Sequence, residues 1–169
     1  DIVVSGATIQ KDMAKISLTN VDNKPGNAAR LFSQLAKSNV LINDIVQTEV
    51  SSKKANLSFT IGISDLRAAK KAVEAVKGEL NCDDIFIRDD IAEISVIGVG
   101  MRSHYGIADK MFGALAKAKV NIDSITTSEI RISCVVDKHQ GQKALQAVCL
   151  AFELDRTAAK RKQYKKRKS

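Results

Sequence analysis

Residues 26–45, GNAARLFSQLAKSNVLINDI, and residues 106–125, GIADKMFGALAKAKVNIDSI, align without a gap at a spacing of eighty. They share Gly26/Gly106, Ala28/Ala108, Phe32/Phe112, Leu35/Leu115, Ala36/Ala116, Lys37/Lys117, Val40/Val120, Ile42/Ile122 and Ile45/Ile125. Upstream, AKISLTNV (14–21) answers AEISVIGV (92–99) at a spacing of seventy-eight, so the second copy has a loop two residues longer. A repeat of this length is a duplicated domain rather than one turn of a solenoid. A chain of 169 residues is long enough for two small domains, and the repeat favours two over one large core. Two similar sites are the natural expectation.

Charge narrows the partners. The net charge is +8, from 27 basic and 19 acidic side chains. Eight of the basic residues lie between Arg156 and Ser169, where there are no acids, so the preceding body carries nineteen of each sign. The basic character belongs to the tail TAAKRKQYKKRKS, which lacks apolar periodicity and is expected to be disordered. No nucleic-acid partner is expected for the body. Cys82, Cys134 and Cys149 are odd in number and lack C-x-x-C spacing, which argues for reduced buried thiols and against zinc or disulfides. No apolar run is long enough for a membrane helix and no signal peptide is visible, so a cytoplasmic protein without a membrane partner is expected. The start at Asp1 rather than Met suggests a piece of something longer.

Pattern gives the elements. In the first repeat KISLTNV alternates as a strand, DNKPG is a polar turn, and AARLFSQLAKSN is an amphipathic helix with Ala28, Leu31, Phe32 and Leu35 on one face. LINDIVQTEV and ANLSFTIGI form a hairpin around SSKK; Ser64 is placed to cap the helix DLRAAKKAVEAVKGEL, and CDDIFIRDD closes with a strand. The order βαββαβ is the split-βαβ, ferredoxin-like arrangement of the α+β class. The second repeat has strand 92–99, loop 100–106, helix 107–119, strands 121–130 and 132–137, and helix 141–152, and lacks a fourth strand. IVVSGAT (2–8) is unpartnered, so the N-terminal strand is expected to complete the second sheet. The domains are then 11–90, and 1–9 plus 91–155, followed by the basic tail 156–169.

No catalytic set is visible. There is no phosphate-binding G-x-x-x-x-G-K-[ST], the single G-x-G at Gly98–Gly100 lacks its third glycine, and His104 and His139 have no acid partner at motif spacing. His139 is read as a surface residue, and Met111 and Phe112 as core. Both repeats place glycine and small residues at the entrance to a helix: Gly26, Asn27 and Ala28, then Gly106, Ile107 and Ala108. Backbone N–H groups left unpaired at a helix N-terminus suit a carboxylate ligand. The chain reads as a binder.

With a glycine turn before the helix and N-I-D after it, βαββαβ resembles the ACT domain, a module that senses small molecules. More narrowly, VGMRSHYGIADKMFGALAKAKVNIDSITTSEI (99–130) resembles the signature of aspartate kinase regulatory regions; KPGNAARLF (24–32) and DIVQ (44–47) resemble the preceding half. The similarity covers about residues 1–155. It implies tandem ACT domains that bind end-product amino acids, lysine, threonine or methionine, between ACT domains of a homodimer and feedback-inhibit the phosphorylation of aspartate. The fragment itself would be no enzyme and hold no cofactor; ATP and Mg would bind a catalytic domain or subunit. By the resemblance one effector site uses Asn23, Gly26, Asn27, Ala28 and Gln47, closed by Asn121 and Ile122, and a second uses Met101, His104, Gly106, Ile107, Ala108, Asp123, Ser128 and Glu129. The chain departs from the pattern in three places. Asn23 stands where the family has Asp, with Asp22 one place earlier; Leu41, Ile42, Asn43 and Asp44 replace N-I-D-M; and Tyr105 follows His104 where proline is usual. Two competing readings remain, a different ACT regulator (an acetolactate synthase small subunit or a regulator of gene expression) and an RNA-recognition module. The first should lack GMRSH…TSEI, and the second needs aromatics exposed on central strands.

Overall fold

In a computed structural model, which describes residues 4–99 and 105–154, the longest elements are two strands that each contribute to both units of the chain. β1 runs from Val4 to Asp22 and β4 from Asp84 to Gly98. The chain divides into one unit of residues 12–91 and a second that joins the residues up to Lys11 to those from Ala92 onward. The boundary therefore falls inside both strands. Separate strands were expected at 2–8 and 15–21, and at 82–90 and 92–99. No glycine or proline interrupts residues 9–15 or 84–96, and the alternation that would betray a strand fails because Met13 and Ala14 are both fully buried.

In the unit of residues 12–91, α1 (Asn27–Lys37), β2 (Ile42–Ser51), β3 (Lys54–Gly62) and α2 (Leu66–Leu80) lie between the two long strands in sequence. The sheet order is β2-β3-β1-β4. β3 is antiparallel to both β1 and β2, with Ile16 opposite Phe59 and Gln47 opposite Leu57. Ala14, Ile16, Leu18, Leu57, Phe59 and Ile61 project from the strands onto Leu31 and Leu35 of α1 and Ala69, Val73, Val76 and Leu80 of α2. Phe32 adds an edge-to-face contact to Phe59, with ring centroids 5.9 Å apart. Phe59 is thus core, which removes one of the two strand aromatics an RNA-recognition surface would need.

The second unit repeats this plan with α3 (Ile107–Lys117), β5 (Ser124–Thr127), β6 (Arg131–Asp137) and α4 (Gly141–Ala151). Its sheet order is β5-β6-β4-β1, so the N-terminal strand supplies the missing fourth strand. Val4 is buried there, Ala7 and Ile9 pack against the core of Ile94, Val96, Met111, Leu115, Cys134, Val136 and Val148, and Ser5 Oγ donates to the Ile97 carbonyl at 3.2 Å. Gly141 fits because it has no Cβ: one would come within 2.8 Å of Ile9 Cδ1 and 3.2 Å of Ala92 Cβ. Met111 is fully buried, whereas Phe112 is half-buried against the same cluster.

The four α-helices among the described residues end alike. At the end of α1 the Val40 N–H reaches the Leu35 carbonyl and the Asn39 N–H that of Ala36, with Asn39 at φ 57°. Val120 and Lys119 repeat those bonds after α3, Cys82 and Asn81 after α2, and Leu154 and Glu153 after α4. Each is a paired closure of the last carbonyls by a left-handed residue. The start of α2 differs from expectation. Ser64 sits within a single 3-10 turn, Ile63–Asp65, and caps nothing; the Asp65 carboxylate instead accepts the Leu41 N–H at 3.2 Å. The turn displaces Ser64 from the helix start, and Asp65 is used to tie down the entry to β2.

Cys134 is buried and Cys82 and Cys149 are half-buried; all three are free thiols. Burial in the second core and the nearby charge of Glu93 push the Cys134 thiol up to about 11, where it stays protonated at neutral pH. His139 lies exposed in the 3-10 turn Lys138–Gln140 before α4. No helix among the described residues is long and apolar enough to cross a membrane. The basic tail 156–169 lies outside the described residues.

Candidate functional site

The turn between β1 and α1 is built by its own hydrogen bonds. Gly26 stands at φ 94°, a conformation open to glycine and strained for other residues, and precedes the helix as its N-cap. The Asn27 amide donates back to the Asp22 carbonyl at 2.7 Å, and the Asn23 N–H donates to the Lys53 carbonyl at 2.8 Å. The first helical bond runs from the Arg30 N–H to the Gly26 carbonyl, and no side chain caps the helix. The Ala28 and Ala29 N–H groups are therefore left for a ligand at the positive end of α1.

Beside this helix end lies a hollow of about 350 Å³, lined by Asn23, Gly26, Asn27, Ala28 and Gln47 together with Val21, Asp22 and Leu57. The five residues assigned to the first site within this unit thus converge. Gln47 enters from β2, where pairing with Leu57 puts it on the helix-bearing face of the sheet. Asn121 and Ile122 belong to the second unit, where Asn121 is exposed and Ile122 packs against the core.

Two charged residues that serve this turn, Lys54 and Glu49, were not anticipated. Asp22 lines the hollow with a carboxylate already engaged through one oxygen: its Oδ1 accepts Lys54 Nζ at 2.9 Å and Asn81 Nδ2 at 3.3 Å, while Lys24 lies 3.9 Å from Oδ2. The hydrogen bond from Lys54 foremost, then that from Asn81, holds the Asp22 carboxyl below the usual carboxylate range. Asn23 donates its amide to Glu49 Oε2 at 3.3 Å, which leaves Asn23 Oδ1 as an acceptor and brings a carboxylate from β2 to the turn. Glu49 follows Gln47 by two residues, so strand alternation puts both on one face, a signal present in the sequence. Lys54 was legible only as part of a hairpin tip; its approach to Asp22 depends on the β1–β3 register, which pairs those two residues.

The start of α3 in the second unit keeps the backbone of the α1 start and changes the side chains. Gly106 is at φ 87° and its carbonyl accepts the Lys110 N–H at 2.9 Å. Ile107 and Ala108 pack against the second core, and Ile107 has no amide to make the bond that Asn27 makes. The Asp123 N–H joins the Val135 carbonyl, and Ser128 and Glu129 occupy the exposed turn between β5 and β6, where Ser128 Oγ accepts the Ile130 N–H at 3.4 Å. Met101 and His104 lie outside the described residues. Among the described residues no group of His, Cys, Asp and Glu converges as a metal site.

Known proteins resemble this chain in both sequence and architecture. The ACT domain family profile matches residues 94–152. An aspartate kinase of Stutzerimonas stutzeri is 35% identical over 156 residues, which are 92% of this chain and 38% of that protein, so the chain spans little more than a third of that relative. The ligand-free regulatory subunit of aspartate kinase from Thermus thermophilus superposes with a TM-score of 0.83 at 34% identity, covering 89% of this chain and 99% of that one. E. coli aspartokinase III in complex with lysine and aspartate shares the fold at 18% identity, with a TM-score of 0.67 over 89% of this chain and 33% of that one. With two ferredoxin-like units, an open helix end beside a hollow that Asn23, Asn27 and Gln47 line, and a regulatory subunit matched over nearly its whole length, the chain belongs to the aspartate kinase family and is its regulatory, tandem ACT-domain part.

Proposed function

We propose that the chain binds an end-product amino acid, lysine or threonine, at the β1–α1 turn and thereby feedback-inhibits phosphorylation of aspartate by a catalytic domain or subunit. The observation that carries this is the convergence of Asn23, Gly26, Asn27, Ala28 and Gln47 on one hollow at an uncapped helix N-terminus. Free N–H groups take the effector carboxylate. Asn23 Oδ1, Gln47 and the Glu49 carboxylate offer acceptors to its ammonium and side chain. Asn121 and Ile122 of a second ACT domain would close the site in a homodimer, so that the effector favours one packing of the domains. It shifts that equilibrium only by its different affinity for the two packings. Lysine bound to E. coli aspartokinase III lends support to lysine as the first candidate.

Thermal unfolding of the chain with single amino acids is the direct test. An effector at a hundred times its dissociation constant stabilises by roughly 2.7 kcal/mol, which is on the order of 5–10 °C for a chain of this size. Gln47→Ala, which removes about one hydrogen bond, should weaken the effector by roughly three- to tenfold with the melting temperature of the free protein unchanged. No shift with any amino acid would refute the reading.

A further inference from the structure

The turn that leads into the free N–H groups of α1 is fastened by residues that do not line the hollow. Lys54 at the start of β3 donates to Asp22 Oδ1 at 2.9 Å and to the Asn81 carbonyl at 3.4 Å, and Asn81 donates its own amide to the same Asp22 oxygen at 3.3 Å. Asn81 is the left-handed residue that ends α2, with φ 50°. Three elements therefore meet on one carboxylate: the end of β1, the start of β3 and the end of α2. From Asp22 the chain reaches the helix in five residues, and the Asp22 carbonyl is the acceptor for Asn27. A second tie lies on the helices themselves, where Arg30 in the first turn of α1 makes a paired contact with Glu79 in the last turn of α2, at 2.8 and 3.0 Å.

We propose that Lys54, acting through the Asp22 carboxylate and the Asn81 amide, is a positioning residue that holds the Asp22–Asn27 turn so that the Ala28 and Ala29 N–H groups that follow it are presented to a ligand carboxylate. Asp22 is then a brace through Oδ1, which Lys54 and Asn81 occupy. A ligand ammonium that recruited Asp22 would meet Oδ2, beside Lys24, with Lys54 still in place. This deepens the effector reading and rests on it for the identity of the ligand, whereas the state of the turn can be read without any ligand.

The brace has a pH signature with a definite sign. The charged groups around Asp22 are Lys54 from β3 and Lys24 from the turn, with Glu49 of β2 one residue away through Asn23. Asp22 is depressed in the folded protein. Its contribution is present above the ordinary carboxylate range and lost as pH falls through the lowered value. Removing Lys54 raises that value and moves the acid limb to higher pH.

The experiment compares the full chain with Lys54→Met and Lys54→Arg. Hydrogen exchange at the Asn23 and Asn27 amides, NMR titration of the Asp22 carboxyl, and calorimetric binding of lysine and of threonine across the acid range are read for each. For Lys54→Met the expectation is faster exchange at the turn, a higher Asp22 pKa, and affinity weaker by roughly tenfold, the scale of one to two hydrogen bonds, with the arginine variant restoring all three. Unchanged exchange and an unmoved Asp22 titration in Lys54→Met would overturn the brace whether or not a ligand binds. Faster exchange with unaltered affinity and an unaltered acid limb would overturn its positioning role. Binding of neither amino acid to the native chain would instead overturn the effector reading, and the exchange data would still decide the brace.

Discussion

The two repeats share a backbone and differ in what stands on it. Both first helices start at a left-handed glycine, Gly26 at φ 94° and Gly106 at φ 87°, and both end with the same pair of carbonyl closures. Around that frame the first unit sets polar side chains: Asn27 on the Asp22 carbonyl, Asn23 on Glu49, and Lys54 and Asn81 on Asp22. The second sets Ile107 against its core at the position of Asn27. The helix ends show the same drift. In the first unit both left-handed closing residues are asparagine, Asn39 and Asn81; in the second they are Lys119 and Glu153. Duplication kept the geometry that backbone hydrogen bonds enforce, while the side chains diverged. The lesson is that a helix-end ligand site needs both layers, and only the first unit shows the polar one among the described residues.

The sharpest way to break this comparison is to remove residues 1–9. The first unit loses nothing by it, whereas the second loses an edge strand together with Val4, Ala7 and Ile9 from its core. Truncating even one large buried side chain costs about 2–5 kcal/mol. Hydrogen exchange resolved by unit should therefore show the second unit opening while the first stays protected, and equal loss in both would contradict the strand assignment.

A finer test exchanges the shared glycines. Nothing lies within 4 Å of a Cβ built on Gly26 or Gly106, so alanine at either meets only the cost of a left-handed backbone, about 1–2 kcal/mol. Denaturant titrations of Gly26→Ala and Gly106→Ala should give similar losses. A large inequality would mean that the two helix starts are not equivalent. The smallest effect runs the other way: Lys119→Asn places in the second unit the residue type that the first uses at φ 57°, with a gain of roughly 0.5 kcal/mol expected from the better tolerance of asparagine for that conformation. A loss of stability in the same titration would show that Lys119 makes a contribution its exposed position conceals.

How much was legible follows the range of each interaction. The helices, the βαββαβ order and the core positions Leu31, Leu35, Met111 and Leu115 could be read from periodicity, because burial on one face imposes a local pattern. The helix-start glycines were legible from their recurrence at one spacing. Ser64 was misread as a cap because a single 3-10 turn, which has no strong sequence mark, pushed it out of place. The continuity of β1 and β4 was missed where each strand passes from one unit to the other and the alternation fails.

The repeat, the fold class, the orphan N-terminal strand and the candidate turn were determined by sequence alone, since each rests on contacts within a few residues or on a duplication visible by inspection. The tertiary structure decided which charges serve the turn. Asp22 and Lys54 are thirty-two residues apart and meet only because β1 and β3 pair in one register. Asn81 reaches them only because α2 ends over the same edge. A one-residue shift in that pairing would turn each side chain to the opposite face. The identity of the brace is thus set by sheet register, which no local pattern encodes.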